Sequence, residues 1–155
     1  MLKRLHAAAG ALALLILASF WVATLIAECF LPASSVIAVK GGIVAGLFLL
    51  VPVMAMTGMT GAALARGRRD QLVATKIRRM RILAGNGVLL MIPAALFLNA
   101  KAAAGEMDAL FFLVQAIELS LGLAQIILII MNLRDGFRMT RAGPAAPGRP
   151  LAVGR

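Results

Sequence analysis

Tyrosine is absent from this sequence, and histidine, cysteine and tryptophan occur once each. A lone cysteine, Cys29, excludes an internal disulfide and any metal site built from cysteines. A lone histidine, His6, excludes a bis-histidine haem site within one chain. Charged residues make up only 14% of the chain and apolar ones 62%, whereas soluble domains carry about 25% and about 45–50%. A water-soluble core of this length cannot absorb such an excess, so the composition points to a chain embedded in a membrane. Also missing are a P-loop, HExxH, GxSxG, CxxC and any histidine paired with a nucleophile. Their absence weighs against the enzyme classes those motifs mark.

What is present is four apolar stretches, roughly Leu5–Cys29, Val36–Ala65, Ile82–Ala100 and Ala109–Leu133. Each approaches or exceeds the ~20 residues that cross a bilayer as a helix. Helix is the required state because hydrocarbon offers no partner to unpaired backbone groups. The expected fold is therefore all-α: a four-helix integral membrane bundle over residues 1–135, with a disordered cytoplasmic tail over 136–155. The first stretch is too long for a signal-peptide core and no A-x-A site follows it. Glu28 also stands where a lipoprotein signal needs a small residue before its cysteine, so the stretch reads as a retained helix.

The charges set the topology. All but two of the 16 basic residues precede the first stretch, lie in the segment 66–81, or follow the fourth stretch. Lys40 and Lys101 alone fall on the other side, with Glu106 and Asp108. Positive residues collect on the cytoplasmic face, so both ends are expected there. Abundant Ala, Gly and Arg suggest a bacterium, and hence its inner membrane. The basic segment "ARGRRDQLVATKIRRMR" reads as a cytoplasmic loop drawn to anionic headgroups. It lacks aromatic stacking residues and any recognition motif, so the formal net charge of +10 is not read as nucleic-acid binding.

Polar residues inside the spans are the functional candidates, because intramembrane charge is expensive and marks pathways. Glu118 lies in "FFLVQAIELSLGLAQ" at helical spacing from Gln115, Gly122 and Gln125, so this face should point inward. No basic residue is expected at its depth. It is therefore expected to be protonated and hydrogen-bonded to a carbonyl freed by Pro52 or Pro93, at Phe48 or Leu89. The functional alternative is a proton or cation relay. Glu28, at the end of the first helix, can pair with Lys40 across the turn, or each can snorkel separately. His6 is either an interfacial polar residue or an axial ligand for haem b, with Met56, Met59 or Met131 near the same leaflet. "MAMTGM" is read as packing, because helical spacing brings only Met56 and Met59 together. Gly42 with Gly46, and Ala116 with Ser120 and Ala124, form small-residue ridges that either seal the bundle or support a homodimer.

Two stretches carry a resemblance. "LHAAAGALALLILASFWVATLIAECF" and "RRMRILAGNGVLLMIPAALFLNAK" resemble small bacterial inner-membrane proteins of the copper-resistance-D and HemJ-type protoporphyrinogen oxidase group. There a histidine opens a helix, and a basic segment leads to an Asn and a span closed by Lys, here Asn86 and Lys101. The chain departs from that pattern after the Asn, where Gly87 and Val88 stand and no proline comes before Pro93. The resemblance implies a haem or porphyrin connection through His6. Taken together, the residues suggest a packed bundle that assembles with itself or a membrane partner. A haem protein and a proton-coupled transport component using Glu118 are the alternatives.

Overall fold

The computed structural model describes residues 1–66 and 71–141. It contains α1 (Leu2–Phe30), α2 (Ala33–Ala65), α3 (Gln71–Asn86), α4 (Ile92–Ala103) and α5 (Ala109–Arg141). A π-helical turn, Gly87–Met91, joins α3 to α4 without a break in helical backbone. The chain thus forms four rods, each long and apolar enough to cross a membrane, and the all-α four-helix bundle is what the composition calls for. Around the ring α1 touches α2, α2 touches α4, α4 touches α5, and α5 closes onto α1.

Two boundaries differ from the sequence reading. The basic segment is not a loop over 66–81, because α3 begins at Gln71; residues 67–70, with Arg68 and Arg69, lie outside the described residues. Val73 and Leu83 are 5% exposed, while Arg78 and Arg81 are exposed and Lys76 and Arg79 are half-buried. That amphipathic stripe, made of good helix formers, outweighs the charge run. The last helix continues past 133 to Arg141, so residues 136–141 are helical; 142–155 lie outside the described residues. Asp135 fastens this extension to α3 by accepting from Arg79 at 2.6 Å.

Proline and glycine set the joints. Pro93 has no N–H to continue the ladder, and the Ile92 N–H next to it reaches back five residues to the Gly87 carbonyl. Such single π-turns are how a helix absorbs a local mismatch. α4 stops at a Schellman motif: Gly105 adopts φ +74°, and the N–H groups of Glu106 and Gly105 donate to the carbonyls of Lys101 and Ala102. Asp108 then opens α5, its Oδ1 accepting from the Phe111 N–H at 2.9 Å. Lys101 spans the turn to Glu106 (3.1 Å) and Asp108 (2.7 Å). That lysine and the Phe111 N–H hold the Asp108 carboxyl below the usual carboxylate range.

Packing follows two stripes. α1 presents Ala9, Gly10, Ala13, Leu17, Thr24 and Ala27, mostly small residues that let neighbours approach closely. α5 presents Phe111, Gln115, Glu118, Gln125, Ile129 and Asn132, all buried. Spacing by threes and fours is that of a left-handed helix pair. At the turn end of the bundle Ala27, Val36, Leu98, Ala102 and Phe111 form a dense cluster. The expected ridges divide. Gly46 receives the ring of Phe20, Gly42 faces open space, and Ala116, Ser120 and Ala124 face outward, so that ridge seals nothing inside this chain.

Gly46→Leu should therefore force Phe20 out of its seat and cost about 1–3 kcal/mol by overpacking. Gly42→Ala should leave stability unchanged or raise it by up to ~1 kcal/mol. Unfolding of both variants in detergent micelles checks this; equal effects at the two positions would remove the assigned Phe20 contact.

Candidate functional site

Lys40 is the centre of the polar structure. It begins about two turns into α2, roughly 10 Å from that helix's start at 1.5 Å per residue, and is 2% exposed. Its ammonium donates to Gln115 Oε1 and, at 3.1 Å, to Glu118 Oε2. Gln115 Nε2 donates to the same Glu118 oxygen at 3.2 Å. Glu28 Oε1 lies 3.5 Å from the ammonium as an ion pair, with no hydrogen bond to that buried oxygen. α1, α2 and α5 thus converge on one cation flanked by two carboxylates.

This corrects the reading of Glu118. The expectation that no basic residue reaches its depth compared backbone positions only. Glu118 lies about 14 Å into α5, and the long Lys40 stem, directed inward rather than toward the interface, covers the difference. The proposed bonds to the Phe48 and Leu89 carbonyls are not formed among the described residues; both side chains face outward, 85% and 72% exposed. Ser19, the serine of α1, is exposed and donates within its own helix to the Leu15 carbonyl. Carbonyls do accept interhelical bonds at other places. Trp21 Nε1 donates to Leu119 at 2.9 Å, and Gln125 Nε2 to Leu83 at 3.2 Å. The anticipated Glu28–Lys40 pair is present, and Gln115 and Gln125 point inward as the spacing required.

Beyond Glu118, toward the basic end, the rods separate around a cavity of about 930 Å³. Glu118, Trp21 and Gln125 line its inner end; Lys3, His6, Lys76 and Asn132 line the other. Glu118 therefore touches both the Lys40 cluster and the cavity. Asn86 stands apart, at the end of α3, with a buried Oδ1 that has no partner.

The geometry fixes the tautomer of His6. Its Nδ1 lies 3.2 Å from the Thr57 carbonyl, which only accepts, and 3.0 Å from Thr60 Oγ1. Thr60 gives its own hydroxyl hydrogen to the Met56 carbonyl at 2.7 Å. Nδ1 therefore carries the proton, and Nε2 keeps a lone pair on a residue that lines the cavity. Met56, Met59 and Met131 do not line the cavity, whereas Met80 does. A Cβ built on Gly61 would fall 3.1 Å from both Met80 Sδ and His6 Cε1, so Met80 and His6 meet across that glycine. The sequence reading missed Met80 because it placed that residue in a loop. No cluster of three His, Cys, Asp or Glu side chains that could hold a metal ion is present among the described residues.

No family model matches this chain, and neither a curated protein nor a solved structure matches it.

Removing the cation isolates the electrostatics. Lys40→Met leaves the buried Glu118 and the half-buried Glu28 without their counter-charge and should cost about 3–5 kcal/mol. Adding Glu118→Gln to that variant should recover part of the loss, since one of the stranded charges is gone. Chemical unfolding in micelles measures the cycle; additive losses would show that Lys40 and Glu118 are not coupled.

Proposed function

We propose that the protein is a small proton-coupled membrane component in which the Glu28–Lys40–Glu118 cluster responds to protonation and the adjoining cavity holds a solute. The observation that carries this reading is the double contact of Glu118, with Lys40 on one side and the cavity on the other. Charge counting supports it: one ammonium offsets one carboxylate, and a proton offsets the second. Lys40 lies 3.1 Å from Glu118 and 3.5 Å from Glu28, so a proton on either acid changes which one the ammonium holds. The distribution of basic residues supports placing both chain ends in the cytoplasm, with the cavity toward that side and Glu28 toward the other.

Trp21 is the natural reporter, being the only tryptophan and bonded to the carbonyl of Leu119, next to Glu118. Its emission should shift with pH in the wild type, and the shift should vanish in Glu118→Gln, which keeps the side chain's size. Glu28→Gln should alter the response without abolishing it. A pH-independent Trp21 signal, or an unchanged shift in Glu118→Gln, would remove the proton-coupled reading.

One observation favours a second reading, a b-type haem protein. His6 lines the cavity while a backbone carbonyl holds its Nδ1–H, the arrangement in which a histidine is oriented as a metal ligand, and His6 with Met80 would be the residues to hold the haem iron. The cavity falls within the ~300–1,000 Å³ typical of cofactor sites. Haem bound there would supply electron-transfer chemistry. Supplementing the expression with haem should then give a Soret band that His6→Ala abolishes and Met80→Ala shifts; a protein without that band would eliminate the haem reading.

A further inference from the structure

The cavity is open on one side. α3 packs along α5 but barely touches α2, so the space between them faces the bilayer rather than another helix. Met54 and Gly58 of α2, Ile77 and Met80 of α3, and Val88 of the π-turn border this gap. A side chain added at Gly58 would meet nothing within 4 Å. The wall is almost wholly apolar, so whatever enters from the membrane must present hydrocarbon along most of its length.

The basic end is different. Lys3, Arg66, Lys76 and Arg81 all line the cavity there, and among the described residues its one lining carboxylate, Glu118, lies at the opposite end. Asp135, which does not line the cavity, is bonded to Arg79 at 2.6 Å and also acts electrostatically on Lys76. Asn132 is 8% exposed, lines the cavity, and has a buried Oδ1 with no partner. Rotation of that amide presents its N–H donors instead. Asn132 lies close to the level of Gly10, about one turn deeper than His6. A Cβ on Gly10, one turn from His6, would lie 3.5 Å from Leu133 Cδ2 and 3.9 Å from Thr57 Cγ2. Lys76 Nζ comes within 3.5 Å of the corresponding position on Gly136, one turn beyond Asn132. A buried polar group without a partner costs free energy that a bound hydrogen-bonding group would recover.

We propose that this cavity binds a single-chain anionic amphiphile that enters from the bilayer between α2 and α3. Its carboxylate or phosphate head sits against Lys76, Asn132 and Lys3, and its chain runs along the apolar wall toward Trp21. The volume of about 930 Å³ suits one long chain and its head rather than a two-chain phospholipid. Charge sets the class: lysine and arginine at one end of an apolar slot favour an anionic head over a cationic one. This inference rests on the reading of the cavity as a binding space and not on the proton response of Glu118.

Trp21 makes the test direct. The full chain in dodecyl maltoside is titrated with a dibrominated long-chain fatty acid, a brominated monoalkyl phosphate, and a brominated alkyltrimethylammonium of matched length. Quenching of Trp21 should saturate at one equivalent for at least one of the two anions and be reversed by its unbrominated form. The cation should need about tenfold more. Whichever anion binds tighter identifies the head. Gly58→Phe fills the slot from a position with free space, so it should stay folded and lose the saturable quenching. Lys76→Ala with Asn132→Ala should weaken it by about tenfold. Quenching that rises linearly, is equal for the cation, or survives Gly58→Phe would overturn the proposal. Repeating the titration in Glu118→Gln separates the two ideas. Saturable quenching there upholds the amphiphile site even where the wild type lacks a pH response, and a wild type with a pH response but no saturable quenching keeps the proton coupling and overturns this site.

Discussion

The buried ammonium of Lys40 is the constraint around which the rest of this bundle is arranged. A charge buried away from water is costly, and Lys40 is 2% exposed, so its neighbours must supply acceptors and counter-charge. An ammonium has three donors. Glu118 and Gln115 accept two of them, and Glu28 faces the cation at 3.5 Å. Those acceptors come from α1 and α5, the cation from α2, and the three helices can satisfy it only in one mutual rotation and register. In a medium where apolar contacts alone distinguish helix faces poorly, this polar knot specifies the assembly.

One of the two buried clusters lies on the same side of the molecule. The two-residue turn after α1, the Schellman motif after α4 and the Asp108 cap on α5 lie at the turn end, where Leu98, Ala102 and Phe111 are fully buried. Past Glu118 a second buried cluster, Leu17, Leu83 and Ile129, joins α1, α3 and α5. α3 is held to α5 by Arg79–Asp135 and by Gln125 on the Leu83 carbonyl, while its border with α2 is loose. The π-turn at Gly87–Met91 lies between these two regimes, where one rod passes from the closed part of the bundle into the open part. A tight half that fixes charges and a loose half that leaves room are different physical tasks, and the chain separates them along its axis.

The sequence made the tight half partly legible. Hydropathy located the four rods, helical spacing turned Gln115, Glu118 and Gln125 inward, and the short turn made Glu28 and Lys40 partners. It did not reveal that Lys40 serves Glu118, because spacing assigns depth to a backbone position while the charge sits at the end of a flexible stem. α3 was hidden for a related reason: its basic residues mark a topology and mask an amphipathic helix with Val73, Ile77, Met80 and Leu83 on one side. Met80 and the cavity were hidden with it. The empty space between α2 and α3 has no sequence signal at all, since an unfilled volume depends on how two rods diverge and not on any residue type.

A solute in the cavity responds to protonation of the cluster only if its contacts differ between the two states. Glu118 provides that difference because it belongs to the cavity wall. When its charge is matched by Lys40 or by a proton, the inner end of the slot is compatible with hydrocarbon. When Lys40 turns to Glu28 and Glu118 stays ionised, the same wall draws water and repels a chain. On the two proposals above, an amphiphile lodged against Trp21 would favour the matched state. By linkage the preference would be reciprocal: the occupant would strengthen the cluster's hold on its proton by the same factor that the proton strengthens the occupant's binding. Lys40, reaching inward where a lysine ordinarily snorkels outward, would join the two events.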